Sequence, residues 1–440
     1  MTAPRIPNPF AVPELKEKIL FTLLCLLVYR IGAHITVPGV NAQATIDFFR
    51  NQNGTLFGIY NLFVGGGLSR ATVFALGIMP YISASIFFQI MGAVFPTVER
   101  LQKEEEGRKK ITQWTRYLTI ALAAAQGWGV SLFLEGLNSG GAAAVANPGL
   151  GFKILTTFFL TTGAVFIMWL GEQITERGLG NGMSLLIFFS IVERILPTTL
   201  QVPEYLRTGA LSPARLVLFI ALMLGVVWVT VAISVAARRI PIQIPRKVMG
   251  RGRIREGQKS FIPLRLLTAN VMPIVFAQSI IIVPGTMAQF SNIAWLRDLS
   301  SYFQRGNVVY YLVYTVMIVF FTYFYTAIVF NPVDLSENLK KQGGFIPGVK
   351  PGQKTADYID HVLSRITLPG ALFLSALAVL PTIVLDYFKV PFAFGGTSLL
   401  IVVGVALDTV TQLQQHMILR QYDSFMKQGR IRTRGRQRLM

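Results

Sequence analysis

The 440-residue sequence holds a single cysteine, Cys25, and only three histidines, His34, His361 and His416. One thiol excludes a disulfide framework and any CxxC metal site. The histidines stand far apart, so they form neither a metal constellation nor a catalytic triad. Two phosphate-loop look-alikes also fail. In GGFIPGVKPGQKT (343–355), Gln353 separates Gly352 from Lys354 and no strand precedes the run. GLGNG (178–182) joins two apolar runs and reads as a turn. The sequence therefore reads as a non-enzyme without a cofactor, any ATP being spent by a partner.

Charge is scarce and one-sided. Charged residues make up 14% of the chain, against roughly 25% in soluble proteins. Hydrophobic residues make up 52%, and the mean hydropathy is +0.52. A spanning helix needs about 20 apolar residues, and the sequence supplies such runs repeatedly, which makes it a polytopic membrane protein. The first run is not followed by a small-residue cleavage site, so it reads as a retained span rather than a removable leader.

The apolar runs predict ten spans, near 19–38, 72–95, 117–136, 154–173, 183–203, 214–237, 268–290, 308–330, 367–385 and 397–419. Sorting the loops by parity places 31 of the 41 Lys and Arg on the side that holds both termini. The positive-inside rule makes that side cytoplasmic. The net charge of +20 therefore resides mostly in cytoplasmic loops, suited to anionic lipid or to a polyanion.

Five spans per half make the two halves insert upside down relative to each other. IMPYISASI (78–86) and VMPIVFAQSI (271–280) occupy the second span of each half, sharing Met-Pro and a later Ala. Matching interruptions in inverted halves point to a functional site. The expected organisation is an N-terminal half (1–197), an external hinge loop (198–213), a C-terminal half (214–420) and a basic tail (421–440).

Between the first two spans lies NLFVGGGLSR (61–70). Each glycine costs about 1 kcal/mol in a helix interior. Fully helical, residues 57–70 would reach only about 21 Å, short of the ~30 Å hydrocarbon core. Irregular backbone at that depth must be enclosed by protein or line a wet cavity. The stretch therefore reads either as a short half-helix folded back into an external cavity or as a loop on the outer leaflet.

Four long stretches carry a family resemblance: GGGLSRATVFALGIMPYISASIFFQ (65–89), WLGEQITERGLGNGMSLLIF (169–188), NPVDLSENLKKQGGFIPGVKPGQKTADYID (331–360) and KVPFAFGGTSLLIVVGVALD (389–408). From about residue 14 to about 428 the chain resembles the SecY/Sec61-alpha family of protein-conducting channel subunits. The resemblance implies an all-α fold of ten transmembrane helices in two inverted five-helix halves, with a short re-entrant plug helix. It implies passage of secretory polypeptides across the bacterial cytoplasmic membrane and lateral release of transmembrane segments, with both termini cytoplasmic.

Matched motif by motif, the resemblance assigns a pore ring to Ile78, Ile82, Met183, Ile187, Val275 and Ile401. It assigns the plug to Asn61, Leu62, Phe63, Val64, Gly65, Gly66, Gly67, Leu68, Ser69 and Arg70. The Met-Pro helices become the two walls of a lateral gate, with Ser83, Ser85, Gln89, Gln278 and Ser279 as polar contacts across the closed seam. Cytoplasmic partners dock at Arg239, Arg246, Lys247, Arg251 and Lys350. Lys350 stands where an arginine is frequent, and lysine lacks the bidentate fork. The implied partners are SecE and SecG as a heterotrimer, the motor ATPase SecA, the ribosome, signal peptides and nascent chains, SecDF and YidC, and anionic lipids.

Two other readings compete. A secondary transporter of small solutes can also be built from five-plus-five inverted repeats, with Glu172 and Asp408 as its intramembrane charges. A passive scaffold for a basic ribosome anchor leaves the repeat and the plug-like stretch unexplained.

Overall fold

A computed structural model of the chain describes residues 13–50, 56–139, 142–209, 212–243, 248–249, 253–254, 259–267, 271–290, 307–388 and 396–436. The first half contains helices α1 (Pro13–Gly32), α2 (Ala42–Arg50), α3 (Leu56–Phe63), α4 (Met79–Val94), α5 (Pro96–Lys103), α6 (Glu105–Glu135), α7 (Leu150–Arg177) and α8 (Gly182–Arg207). The second contains α9 (Pro213–Val235), α10 (Met272–Phe290), α11 (Val308–Val329), α12 (Pro332–Lys341), α13 (Gln353–Phe388) and α14 (Gly396–Arg436).

Among the described residues, α6, α7, α8, α9, α11, α13 and α14 are long and apolar enough to cross a bilayer. α1, whose charges gather at its ends, and the Met-Pro helices α4 and α10 complete ten membrane helices. Many hydroxyls inside these helices are satisfied locally, although Thr156 Oγ1 and Tyr314 Oη are buried with no partner among the described residues. Thr119 donates to the Thr115 carbonyl at 2.7 Å and Thr322 to that of Ile318 at 2.6 Å, which is how polar side chains enter hydrocarbon without an orphaned donor.

Several boundaries differ from expectation. The span predicted over 72–95 is helical only from Met79, and residues 64–78 run as turns. The backbone explains this: Gly65, Gly66 and Gly77 have φ of 66°, 82° and 56°, and Ala71 has 46°, a left-handed region that interrupts a right-handed helix. Pro80 then sits in the first turn of α4, where its missing N–H costs nothing. The connection predicted as a loop over 198–213 is helical to Arg207, through Pro197 and Pro203. α14 continues to Arg436, well into the predicted tail. Residues 268–270 of the seventh predicted span lie outside the described residues.

Ion pairs pin the helices of the first half. Arg116 grips Glu172 with two parallel bonds of 2.9 Å between α6 and α7. At the other end of that hairpin Glu135 pairs with Lys153 at 3.0 Å and accepts the Gly149 N–H at 2.7 Å. Arg30 of α1 pairs with Glu193 of α8. The turn between α7 and α8 is closed by Asn181, whose side chain accepts the N–H groups of Met183 and Ser184, a helix N-cap.

α4 and α5 meet at 111° around Phe95. On the α5 surface the Lys103 ammonium bonds Glu99 at 2.8 Å and holds its carboxyl below the usual carboxylate range. The two long basic loops are one unit. Strands β1 (Ala237–Gln243) and β2 (Lys259–Arg265) pair as an antiparallel hairpin whose buried Ile240, Ile242 and Leu264 pack on Leu339, Ile346 and Ile359. Gln243 and Phe345 exchange backbone hydrogen bonds of 2.9 and 3.0 Å, tying the second loop to the first.

Close helix packing around residues 64–78 depends on glycine. A Cβ at Gly163 of α7 would overlap the Val73 carbonyl oxygen, whereas one at Gly225 of α9 would meet nothing. Overpacking of this kind costs about 1–3 kcal/mol. Gly163→Val is expected to lower the apparent melting temperature of the detergent-solubilised protein by several degrees, measured by heating and size-exclusion chromatography. Gly225→Val should leave it near that of the parent.

Candidate functional site: a plugged apolar aperture

Four helices and their first turns each contribute one i, i+4 stripe to a common centre: Ile78 and Ile82 before and on α4, Met183 and Ile187 on α8, Val271 and Val275 before and on α10, and Ile401 and Val405 on α14. Ile82, Met183, Ile187, Val275 and Ile401 line one cavity of about 200 Å³, together with Ser85, Gln89, Asn181, Ser184 and Tyr325. Ile78 is buried in the same continuous apolar core, just before α4 begins. Of the six residues assigned to the ring, five therefore face one space and the sixth adjoins it. Met183 rests its sulfur on Gly171 of α7, where no side chain intervenes.

The chain after α3 belongs to the same core. Phe63, Val64 and Leu68 are buried in the apolar cluster that contains Ile82, Ile187, Val275 and Ile401, and α3 touches both α8 and α10. The Leu62 side chain lies outside the described residues. A loop on the outer leaflet is thereby ruled out for 63–69, since Gly65, Gly66, Gly67 and Ser69 are buried as well.

Sequence reasoning missed how this segment is built. Its glycines promised few anchors, but buried Asn61 organises the turn. The Asn61 side chain accepts the Ser69 N–H at 2.9 Å, its carbonyl accepts that of Gly66 at 2.8 Å, and Ser69 Oγ donates to the Gly66 carbonyl at 2.9 Å. Tyr60 donates to the Leu76 carbonyl at 3.0 Å. Beyond the loop, the Val37 N–H donates to Ala71 and the Val73 N–H to Ile35, both at 2.9 Å. These bonds stitch residues 71–73 to the chain leaving α1. Arg70 Nη1 adds a 3.3 Å contact to His34 Nε2.

The seam between α4 and α10 is more apolar than predicted. Ser279 Oγ lies across it 3.6 Å from Met79 Sδ and 2.8 Å from the Val275 carbonyl of its own helix, and its single proton serves one acceptor or the other. The Gln89–Ser85 bond of 3.1 Å instead stays within α4, because residues four apart share a helix face. Ser83 is half-buried on α4. Gln278 is 1% exposed, and its Nε2 has no partner among the described residues.

On the two-stranded hairpin Arg239 is exposed, with Cζ 4.9 Å above the Phe261 ring. Lys350 is exposed on a turn set by Gly348 and Gly352, with φ of 84° and 98°. Arg246, Lys247 and Arg251 lie outside the described residues. Among the described residues no group of His, Cys, Asp and Glu could hold a metal ion. Glu172, one of the two charges a transporter would use, is committed to Arg116.

A multi-pass membrane bundle with a small central cavity lined by aliphatic side chains, and a folded-back segment of its own chain buried in the same apolar core, has the form of a closed channel. Comparison with known proteins gives the kind of channel. The SecY family model matches residues 72–410. The chain is 43% identical over 421 residues to protein translocase subunit SecY of Aquifex aeolicus, covering 95% of this chain and 98% of that one. It is 44% identical over 428 residues to protein translocase subunit SecY of Escherichia coli K12, covering 96% of each. Among solved structures it is similar to a protein conducting channel, with a TM-score of 0.66 at 16% identity over 94% and 97% of the two chains. It is also similar to Sec61 in the canine ribosome-channel complex from the endoplasmic reticulum, with a TM-score of 0.61 at 16% identity over the same shares.

The chain belongs to the SecY family. It is the central subunit of a protein translocation channel, and the small-solute transporter reading gains no support.

The fit of the blocking segment is testable. An ideal Cβ on Gly65 lies 3.4 Å from Ser190 Cβ on α8, close to the ~3.5–4.5 Å that a disulfide needs. In a Cys25→Ser background, Gly65→Cys with Ser190→Cys should oxidise in the idle channel and lose thiol labelling at both sites. Full labelling of both after oxidation would contradict this placement.

Proposed function

We propose that Ile78, Ile82, Met183, Ile187, Val275 and Ile401 form the collar of the translocation pore, and that residues 61–70 are its plug in the resting state. The observation that carries this reading is the convergence of five collar side chains on one small cavity whose apolar core is continuous with Phe63, Val64 and Leu68. An apolar constriction excludes ions by dewetting and offers a passing chain no fixed charge to bind. Its members are aliphatic, so they yield by changing rotamer rather than by breaking bonds.

The seam between α4 and α10 is the lateral gate in this reading. A signal peptide brings an apolar h-region of about 7–15 residues, which needs a route from the pore to lipid. Membrane hydrogen bonds between helices average about 0.6 kcal/mol, so a seam of apolar packing whose described polar contact is Ser279 against Met79 opens reversibly. Buried Gln278 Nε2 favours opening, because water or a passing backbone then satisfies it.

The cytoplasmic protrusion, with Arg239 and Lys350 at its surface and Arg246, Lys247 and Arg251 in the same loop, docks the ribosome and SecA. Two structures similar to this chain are ribosome-bound channel complexes, canine Sec61 and yeast Ssh1. The subunit works in the bacterial cytoplasmic membrane with both termini cytoplasmic, clamped by SecE, accompanied by SecG, and served by SecDF, YidC and anionic lipids. It carries no catalytic site of its own, and the driving nucleotide is hydrolysed by a partner. Its N-terminal half (1–197) and C-terminal half (214–420) part about the 198–213 connection.

Replacing Ile82 and Ile187 together with Asn should hydrate the constriction. Planar-bilayer recordings of the reconstituted complex are expected to show a raised resting ion conductance. Currents indistinguishable from those of the parent would remove these residues from the collar.

A further inference from the structure

The β1–β2 hairpin has one covered face and one open face. Register places Ala237 opposite Arg265, Arg239 opposite Pro263 and Pro241 opposite Phe261. Alternation sends Ile240, Ile242 and Leu264 to the covered side. Arg239 and Phe261 are left as diagonal neighbours on the open side, a spacing within reach of long and aromatic side chains. Each stands opposite a proline, whose ring fixes the local backbone φ. Phe261 is 51% exposed, though it lies on the hairpin that carries the basic loop rather than on a membrane helix. It contributes nothing to the small core on the other face. Its described contact is the guanidinium of Arg239, 4.9 Å from its centroid.

We propose that Phe261 is a positioning residue for docking: it covers one face of the Arg239 guanidinium and turns the N–H edge outward, toward a backbone phosphate of RNA. A guanidinium stacked on a ring loses rotational freedom before it meets its partner, and its planar fork matches two phosphate oxygens at once. A phosphate is the fitting occupant because the 238–265 stretch carries nine basic residues and one acidic. This inference rests on the reading of the basic loops as a ribosome-docking surface.

The test is ribosome co-sedimentation with the channel complex in lipid nanodiscs at several salt concentrations, using Phe261→Ala, Phe261→Trp, Arg239→Ala and the double variant Arg239→Ala/Phe261→Ala. Phe261→Ala is expected to weaken binding about two- to five-fold, the range for an exposed cation–π contact. The salt dependence should be unchanged, because no phosphate contact is deleted. Phe261→Trp should restore affinity, and the double variant should bind no more weakly than Arg239→Ala alone. If Arg239→Ala weakens binding but Phe261→Ala does not, or if the two losses add in full, Phe261 does not act through Arg239 and the inference falls while docking stands. If Arg239→Ala leaves affinity untouched, the docking reading fails at this residue and the inference with it. A Phe261→Ala defect confined to SecA-driven translocation, with ribosome affinity intact, would overturn the assignment to RNA phosphate.

Discussion

Every backbone N–H and C=O inside the hydrocarbon layer needs a partner supplied by the protein, and residues 64–78 are where this chain meets that demand without a helix. The left-handed turns at Gly65, Gly66, Ala71 and Gly77 abolish the regular ladder. Asn61, Ser69, Tyr60 and Thr72 replace it with bonds to nearby carbonyls and N–H groups. Such a segment is stable only when surrounded. The rest of the first half is arranged to surround it: α7 approaches through Gly163, α8 lies against Gly65, and the chain leaving α1 supplies the edge that holds residues 71–73.

The distribution of those bonds bears on function. The hydrogen bonds of Tyr60, Asn61, Ser69 and Thr72 close within residues 60–76. Toward the pore walls the segment presents the apolar Phe63, Val64 and Leu68. In the proposed plug reading the Asn61–Ser69 and Ser69–Gly66 bonds travel with residues 61–70, and the cost of leaving is the apolar contact given up together with the Tyr60–Leu76 and Thr72–Gly67 bonds. In that proposal a docking energy of a few kcal/mol would keep the shut state heavily populated and still allow an arriving chain to displace it. The stitch between residues 35–37 and 71–73 then fixes the far end of the moving part.

The membrane class, the ten helices and the repeated Met-Pro helices were legible because hydropathy and motif are local properties of the chain. The alignment of Ile82, Ile187, Val275 and Ile401 was reachable through family motifs, whereas spacing alone never brings four helices to one point. Other features came only with tertiary structure. Asn61 as organiser of the turn depends on where residues 66 and 69 fold back. The start of α4 at Met79 depends on left-handed backbone that hydropathy cannot report. The polar seam expected from Ser85 and Gln89 gave way to a bond along α4, since i, i+4 proximity is always available to a helix and a cross-seam partner is not. The joining of two basic loops into one protrusion rests on the Gln243–Phe345 pairing, between residues a hundred positions apart.

The central claim is that residues 61–68 form a removable seal over an apolar collar, and deleting them tests it most directly. The deletion variant, assembled with its partner subunits and reconstituted in planar bilayers, should pass ions between translocation events while still transporting preprotein. A variant that folds, transports and remains as ion-tight at rest as the parent would contradict the account, because the collar would then need no plug.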